Sequence, residues 1–414
     1  MKPILISGGH FVRAFALIAP FFLQNPGLAN SNLDKTDNKN SNNKPWQPAF
    51  VGGVQGPLLG FGYNGFLQTD GATFLDDSSG QFEDGVNLRR ARLTFARKIS
   101  EQWEAKGSAE FARGDIEIKD LYGRYNGLSF ATLQFGNQKE PFSLQHSTSS
   151  RFTNLMERSM VVNALAPGRN IGITMLSSKA NMTGMIGIFS RGFKQDNLTT
   201  SGDGVTGRTT LYRMIGGQHI LHGGLSASYR SVGSTPPRYR SRPETGINDT
   251  YMIDTGDLNQ AENVGRLGLE TTYVNGPLSL QGEYIVTRVR RGEGLDNLTF
   301  DGWYFIASWF LTGESRTYFN NTGTFGRVFP SSPFTLNGGR GAWELAFRVS
   351  RADLSDKEII GGVEKNISFG LNWFLREYVV VMANYIKVID VDRPGSEFDN
   401  NTMNIFQLRL QLEF

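Results

Sequence analysis

Apolar and polar side chains alternate along most of this chain. The clearest run is 405–414, where an apolar series (Phe406, Leu408, Leu410, Leu412, Phe414) interleaves with a polar one (Gln407, Arg409, Gln411, Glu413). A period of two indicates a β-strand, because successive side chains of a strand point to opposite faces. Taken alone, this run fits either the last strand of a transmembrane barrel or the edge of a soluble sandwich.

Sixteen runs of this kind follow one another. They predict strands at 62–68, 86–99, 103–112, 116–125, 131–138, 170–178, 183–190, 206–215, 220–231, 264–273, 278–288, 300–311, 341–351, 365–375, 378–388 and 403–414. Most are close to the ~9–11 residues that a tilted membrane strand needs, whereas no apolar run reaches the ~20 residues of a spanning helix. An even number of strands places both termini on the same side of the membrane.

The connections between these strands alternate in length. Short ones, such as Asn275–Pro277, Gly217–His219 and Arg376–Glu377, suit periplasmic turns. Longer ones are predicted on the outer side, at 69–85, 139–169, 232–263, 312–340 and 391–402. Alternating short turns and long loops are typical of transmembrane barrels and favour that fold over the sandwich.

The N-terminal region predicts export. Residues 1–29 combine basic Lys2 and Arg13 with a short apolar run and small residues before a cleavage site, which is the pattern of a signal peptide. The alternative, a membrane anchor, requires a longer apolar run. Residues 30–49 are a polar leader, and residues 50–414 form the predicted barrel. The absence of cysteine is compatible with an exported protein.

Composition supports a single all-β domain and excludes several functions. The chain has 49 glycines, 12% aromatic residues and no sustained helical period. A net charge of +3 is too small and dispersed to indicate nucleic-acid binding. We find no metal-binding or phosphate-cradling motif, and none of the four histidines is spaced as part of a catalytic group, so we expect neither an enzyme nor a cofactor. A receptor or adhesin acting through loops 232–263 and 312–340 remains an alternative.

Charged side chains occupy the faces predicted to point into the barrel. A basic or acidic residue on the lipid face costs up to ~2–4 kcal/mol, which fixes the orientation of each strand. The basic inward residues are Arg90, Arg92, Lys98, Lys106, Arg124, Arg230, Arg266, Arg348 and Arg409, and the acidic ones are Glu104, Glu110, Asp120, Glu270, Glu283, Glu344 and Glu413. This pattern fits a hydrated wall of cross-strand ion pairs or a basic path for anions.

The long segment 139–169 is the candidate constriction loop. It exceeds an ordinary hairpin connection, and long loops in compact domains are usually functional. Its basic residues are Lys139, Arg151, Arg158 and Arg169, against Glu140 and Glu157. A ring of arginine or lysine is an established means of passing anions. Alternatively, Glu157 and Arg158 fix the loop to the barrel wall by ion pairs.

Several segments together resemble the phosphate-selective porin O and P family. They are Leu88–Leu93, Ile118–Tyr122, Gly136–Leu144, Met156–Ser159, Ala166–Gly172, Phe300–Tyr304 and Leu311–Glu314. They occur in the family's order over roughly residues 60–414, and the cluster between 88 and 172 is the most specific.

The resemblance implies a sixteen-stranded outer-membrane barrel that assembles as a homotrimer. Its third outer loop folds inward, and basic side chains there select anions. The family's paired arginines fall on Arg89 and Arg90, its strand aspartate on Asp120 and its loop-entry lysine on Lys139. Arg89 falls on the outward phase of its strand, so it reaches the lumen only if a bulge resets the alternation.

These arguments predict a porin, a passive channel in the bacterial outer membrane surrounded by lipid, with a preference for small anions such as phosphate. A weakly selective general porin is the alternative. The predicted pore residues are Arg90, Arg92, Asp120, Arg124, Lys139, Arg151, Arg158 and Arg169, with Arg89, Arg230, Arg266 and Arg348 as a second group. We find no regular ladder of arginines; the clusters at 238–242 and 288–291 either collect anions or are solvated surface.

Overall fold

A computed structural model of the chain describes residues 61–112, 114–193, 202–216 and 219–414. Sixteen antiparallel strands form a closed barrel in which each strand pairs with its neighbours in sequence and β1 pairs with β16. The strands are β1 (Phe61–Leu75), β2 (Gly85–Lys98), β3 (Trp103–Glu110), β4 (Glu117–Tyr125), β5 (Thr132–Lys139), β6 (Arg169–Lys179), β7 (Met182–Ser190), β8 (Gly204–Ile215), β9 (His219–Ser231), β10 (Ala261–Asn275), β11 (Leu278–Arg291), β12 (Leu298–Phe310), β13 (Ala342–Asp356), β14 (Ile359–Arg376), β15 (Val379–Asp392) and β16 (Met403–Glu413).

This architecture confirms the predicted fold: each of the sixteen predicted strands has a counterpart in the barrel. The predicted signal peptide (1–29) and leader (30–49), the start of the predicted barrel (50–60) and most of the Gly217–His219 turn lie outside the described residues. No helix in the described part of the chain is long and apolar enough to span a membrane.

The alternation of side chains gives the barrel an apolar outer face. In β13, Glu344 and Arg348 are buried inside the barrel while Leu345 is 46% exposed on its outside. At the end of the barrel where β1 begins, the rings of Trp343 and Trp373 stack on the outer face at 5.0 Å. An aromatic group at the edge of an apolar band is the arrangement expected at a membrane interface.

One loop prediction was wrong. The sequence pattern places the segment 312–340 on the outer side, but this segment belongs to loop 311–341, which connects β12 to β13. The loop therefore lies at the end where β1 begins, with short turns such as 276–277 and 377–378. The reason is parity: each strand crosses the barrel once, so the connection after an even number of strands returns to the starting end. The connections 76–84, 140–168, 232–260 and 393–402 lie at the opposite end, as predicted.

The lumen is partly filled by its own loops. The constriction loop 140–168 carries two short helices, α1 (Leu144–Ser147) and α2 (Met160–Leu165). Helix α2 is buried in an apolar cluster with residues of β11 and β12, such as Ile285 and Phe300. Outer loop 232–260 also turns inward, because Glu244 hydrogen-bonds to Ser350 and Ser368 on the inner wall. The open passage is therefore displaced toward β1–β6.

Two β-bulges change the facing of the chain in the first quarter of the barrel. Opposite Gln68 and Thr69, the register of β2 skips Arg89. Opposite Ser108 and Ala109, the register of β4 skips Lys119. A bulge inserts one residue into a strand and re-aims the side chains around it. As a result, Arg89 and Arg90 both face the lumen, and so do Lys119 and Asp120.

The backbone around Gly136 in β5 leaves no room for a side chain. Its φ is +129°, and a Cβ at this position would stand 2.3 Å from the carbonyl O of Leu121 in β4. We expect Gly136→Ala to lower the stability of the barrel by roughly 1–3 kcal/mol, measured by thermal unfolding in detergent. Gly184→Ala is the matched control, because a Cβ there meets no atom within 4 Å. Equal unfolding temperatures for the two variants would contradict this account.

Candidate functional site

A chamber of about 770 Å³ lies on the open side of the lumen, between the inner faces of the first strands, the constriction loop and the tip of loop 311–341. Its charged lining is predominantly basic. The ten basic side chains are Arg89, Arg90, Arg92, Lys106, Lys119, Arg124, Lys139, Arg151, Arg158 and Arg169, and the five acidic ones are Glu110, Glu117, Asp120, Glu140 and Glu157. This excess of five positive charges favours a basic path for anions over a hydrated wall in which cations and acids pair off in equal numbers.

Asp120 lies at the centre of the strand side of the chamber. Its carboxylate receives Arg169 Nε at 2.8 Å and lies 3.6 Å from Lys106 Nζ. Nearby, Arg92 pairs with Glu110 at 3.0 Å. Because one carboxylate is shared by two cations, this side keeps a net positive charge. The acid also fixes the direction of both basic side chains.

The loop side of the chamber presents basic groups that donate to carbonyl oxygens. Lys139 Nζ donates to the carbonyl O of His146 at 2.5 Å. Arg158 donates from Nε to the carbonyl O of Gln145 and from Nη2 to that of Thr148, both at 2.8 Å. Within the described part of the chain, neither group forms a carboxylate salt bridge. Burial and the neighbouring arginines Arg169, Arg92 and Arg89 lower the pKa of Arg158 to about 10, so it stays charged at neutral pH.

Glu157 fixes the constriction loop to the wall. Its carboxylate is held by Arg89 through two hydrogen bonds of 2.9 Å, by Arg409 at 2.8 Å and by Arg90 at 3.4 Å. Arg409 also forms a bidentate pair with Asp70. Glu157 therefore forms ion pairs with the barrel wall, as the alternative interpretation predicts. Among the described residues Arg158 does not, because it donates to carbonyl oxygens of the loop itself.

Loop 311–341 closes the chamber from the end where β1 begins. Within it, Tyr318–Phe319 and Thr324–Phe325 form a small hairpin. Buried Arg208 of β8 holds the hairpin tip through the carbonyl O of Thr322 (2.9 Å) and of Gly323 (2.7 Å). Phe325 packs against Leu144 of helix α1. The constriction is thus shaped by loops from both ends of the barrel.

The structure places all of the first predicted group in the lining of the chamber. These residues are Arg90, Arg92, Asp120, Arg124, Lys139, Arg151, Arg158 and Arg169, and the bulge brings Arg89 there as well. The other three of the second group do not reach the chamber. Arg230 lies outside the lining and pairs with Glu140, Arg348 pairs with Glu244, and Arg266 lies against Tyr239. The inward loops cover all three of them, which the strand pattern could not reveal.

Sequence reasoning missed several lining residues. The strand pattern predicts Lys106 to face inward but does not place it in the site, and the spacing of His146 excludes only a catalytic role; both residues line the chamber. Lys119 was missed because the bulge in β4 hides its phase. The aromatic tip of loop 311–341 was missed because that loop was assigned to the wrong end. The one signal in the sequence for the correct position of this loop is the even number of predicted strands that precede it.

The outer arginine clusters are largely engaged with acids or aromatic rings. Arg238 pairs with Asp254, and Arg291 pairs with Glu358. Arg240 and Arg242 lie over the ring of Tyr251, at 4.1 and 5.0 Å from its centre. Arg242 also pairs with Asp249. These partners make the clusters local parts of the loops rather than a continuous series of steps toward the chamber.

Comparison with known proteins gives consistent matches along the barrel. The family described as phosphate-selective porin O and P matches residues 61–414. Porin O of Pseudomonas aeruginosa is 24% identical over 393 residues, which cover 86% of this chain and 88% of that protein. An uncharacterized protein of Caulobacter vibrioides is 28% identical over 347 residues, covering 80% and 68% of the two chains.

The barrel fold is shared with several proteins of known structure. An anion-selective porin from Comamonas acidovorans superposes with a TM-score of 0.54 at 13% identity, over 86% of this chain and 99% of its own. OprB of Pseudomonas putida gives 0.53 at 11% identity, over 86% and 94%. At these identities the likeness establishes the barrel architecture.

Proposed function

The chain belongs to the phosphate-selective porin O and P family of outer-membrane porins, and on this premise we propose that its chamber conducts small anions by passive diffusion, with phosphate as a preferred solute. No cofactor is required, because the solute gradient drives the flux. The basic groups that line the chamber lower the barrier for an entering anion, while hydrogen bonds of ordinary strength allow it to leave.

The proposal rests above all on the hydrogen-bond partners of Lys139 and Arg158. Both donate to neutral carbonyl oxygens, and within the described residues neither forms a salt bridge with a carboxylate, so a passing anion does not have to displace an acid from them. A phosphate between this pair and the Asp120 side would meet lysine and arginine donors. Arginine presents a planar fork that matches phosphate oxygens, and lysine acts as a point charge.

We propose in addition that the porin assembles as a homotrimer through the outer face of its first strands. Strands β3–β5 are short, with eight, nine and eight residues, and a shallow apolar groove crosses the outer surface there, lined by Phe61, Phe95, Leu121 and Phe135. Cross-linking in a mild detergent tests this arrangement: three-chain products are expected, and their loss in Leu121→Arg would locate the interface. Monomers alone in the unaltered protein would contradict it.

The conduction proposal is tested with protein purified from outer membranes and reconstituted in planar bilayers. We expect the zero-current potential in a KCl gradient to show chloride favoured over potassium by about tenfold or more, since five excess charges act in a confined space. Added phosphate should then block the chloride current at millimolar concentration or below. Anion selectivity without block would leave a general anion porin, and absence of anion selectivity would refute the proposal.

A further inference from the structure

His146 occupies an unusual position in the wall of the chamber. It belongs to helix α1 of the constriction loop and lines the cavity. Its Nε2 atom is buried and has no hydrogen-bond partner among the described residues. A buried ring nitrogen without a partner gives up a hydrogen bond that water or a ligand would otherwise supply. The missing partner can be supplied by a solute after a small movement of the ring, because His146 lines a passage through which solutes move.

The charged groups that act on His146 are all basic. They come from three elements packed around it: Lys139 at the end of β5, Arg158 in the constriction loop and Arg169 at the start of β6. Burial, and then these three cations, lower the pKa of His146 well below its usual range. The imidazole of the empty chamber is therefore neutral at physiological pH.

We propose that His146 is an anion-contacting residue and that its imidazole takes up one proton when an anion binds beside Lys139 and Arg158. The bound negative charge offsets the repulsion between the three cations and an imidazolium, and a protonated ring can donate to the anion. The proton comes from the solvent when the anion enters and returns to it when the anion leaves. This inference rests on the proposed function, since it requires anions in the chamber.

The coupling has a definite direction. The pKa of His146 must be higher in the anion-occupied chamber than in the empty one, so anion affinity rises as pH falls through the occupied-state pKa and is constant above it. If occupancy restores the usual value of ~6.5, affinity increases about tenfold between pH 7.5 and 5.5.

The test uses sulfate, whose own charge does not change in this pH range, as the only anion. Half-saturation of the conductance in potassium sulfate is measured in planar bilayers at pH 5.5, 6.5 and 7.5. We expect the half-saturating concentration of the unaltered protein to fall about tenfold from pH 7.5 to 5.5. His146→Gln should abolish this dependence. His219→Gln, at the start of β9 and outside the chamber lining, should retain it.

A second readout separates coupling from a structural effect. Sulfate binding to the detergent-solubilised protein is followed by calorimetry at pH 6.5 in two buffers of different ionisation enthalpy. Uptake of a substantial fraction of one proton per sulfate in the unaltered protein, and none in His146→Gln, supports the proposal. Equal pH dependence in both proteins overturns it. An anion-selective channel whose sulfate affinity does not vary with pH refutes only this inference, whereas a channel without anion selectivity at pH 7.5 refutes the proposed function as well.

Discussion

Arg158→Glu is expected to shift the selectivity of the channel strongly from anions toward cations. The substitution changes the charge of the chamber by two units at a position where the native guanidinium donates to carbonyl oxygens and forms no salt bridge among the described residues. At an effective dielectric constant of about 20 and separations near 8 Å, each unit changes the energy of a passing ion by roughly 2 kcal/mol, so the permeability ratio should fall well over tenfold. The zero-current potential in a KCl gradient measures this change directly.

Lys98→Glu is the matched control for this experiment. It makes the same change of charge, but Lys98 is the exposed last residue of β2, where it pairs with Glu101, and it lies outside the chamber lining. Its selectivity should equal that of the unaltered protein. Arg90→Glu is a less clean test, because Arg90 also contributes to the Glu157 anchor. An unchanged zero-current potential in Arg158→Glu would remove this residue from the conduction path.

Glu157→Gln is expected to destabilise the barrel and release the constriction loop. The substitution leaves Arg89, Arg90 and Arg409 close together with Asp70 as the remaining acid partner in the anchor. Removing one partner of a buried ion pair costs about 3–5 kcal/mol, because the other charges stay buried without compensation. We expect a lower unfolding temperature in detergent, together with larger and noisier single-channel conductance.

The pH dependence of this effect follows from the same contacts. Burial alone would raise the pKa of Glu157, but Arg89, Arg90 and Arg409 hold it well below its usual range. Its contribution to stability is therefore complete above the unfolded value of ~4.3 and is lost only as pH falls through the lower folded pKa. The difference in free energy of unfolding between the unaltered protein and Glu157→Gln should therefore be constant from pH 5 to 8. Glu101→Gln, an exposed surface acid, is the control and should unfold like the unaltered protein.

The barrel was predictable from sequence because its determinant is local. A period of two fixes the facing of each strand, and the regular turns set their number, so β13 and its inward Glu344 and Arg348 were assigned correctly. The same reasoning identified the constriction loop from its length and placed Lys139 and Arg158 in it. These features depend on residues close together in the chain.

What sequence reasoning missed depends on contacts between distant segments. Arg230, Arg266 and Arg348 have the same inward phase as Arg92, yet loops folded into the lumen cover them. Whether an inward charge meets solvent is decided by which loop packs over it, and strand periodicity carries no information on loop packing. The neutral partners of Arg158 are likewise backbone carbonyls, which residue identities do not reveal.

The two bulges also bear on how such channels diverge. Arg89 and Lys119 are single residues inserted into otherwise regular strands, and the strand on either side keeps its own phase. Loss of one codon at either position would restore plain alternation and remove one luminal cation without turning any neighbouring side chain around. The charge of the conduit can therefore change through single-codon insertions and deletions as well as through substitutions, and a sequence alignment that allows no gap within strands would misassign the residues that matter most.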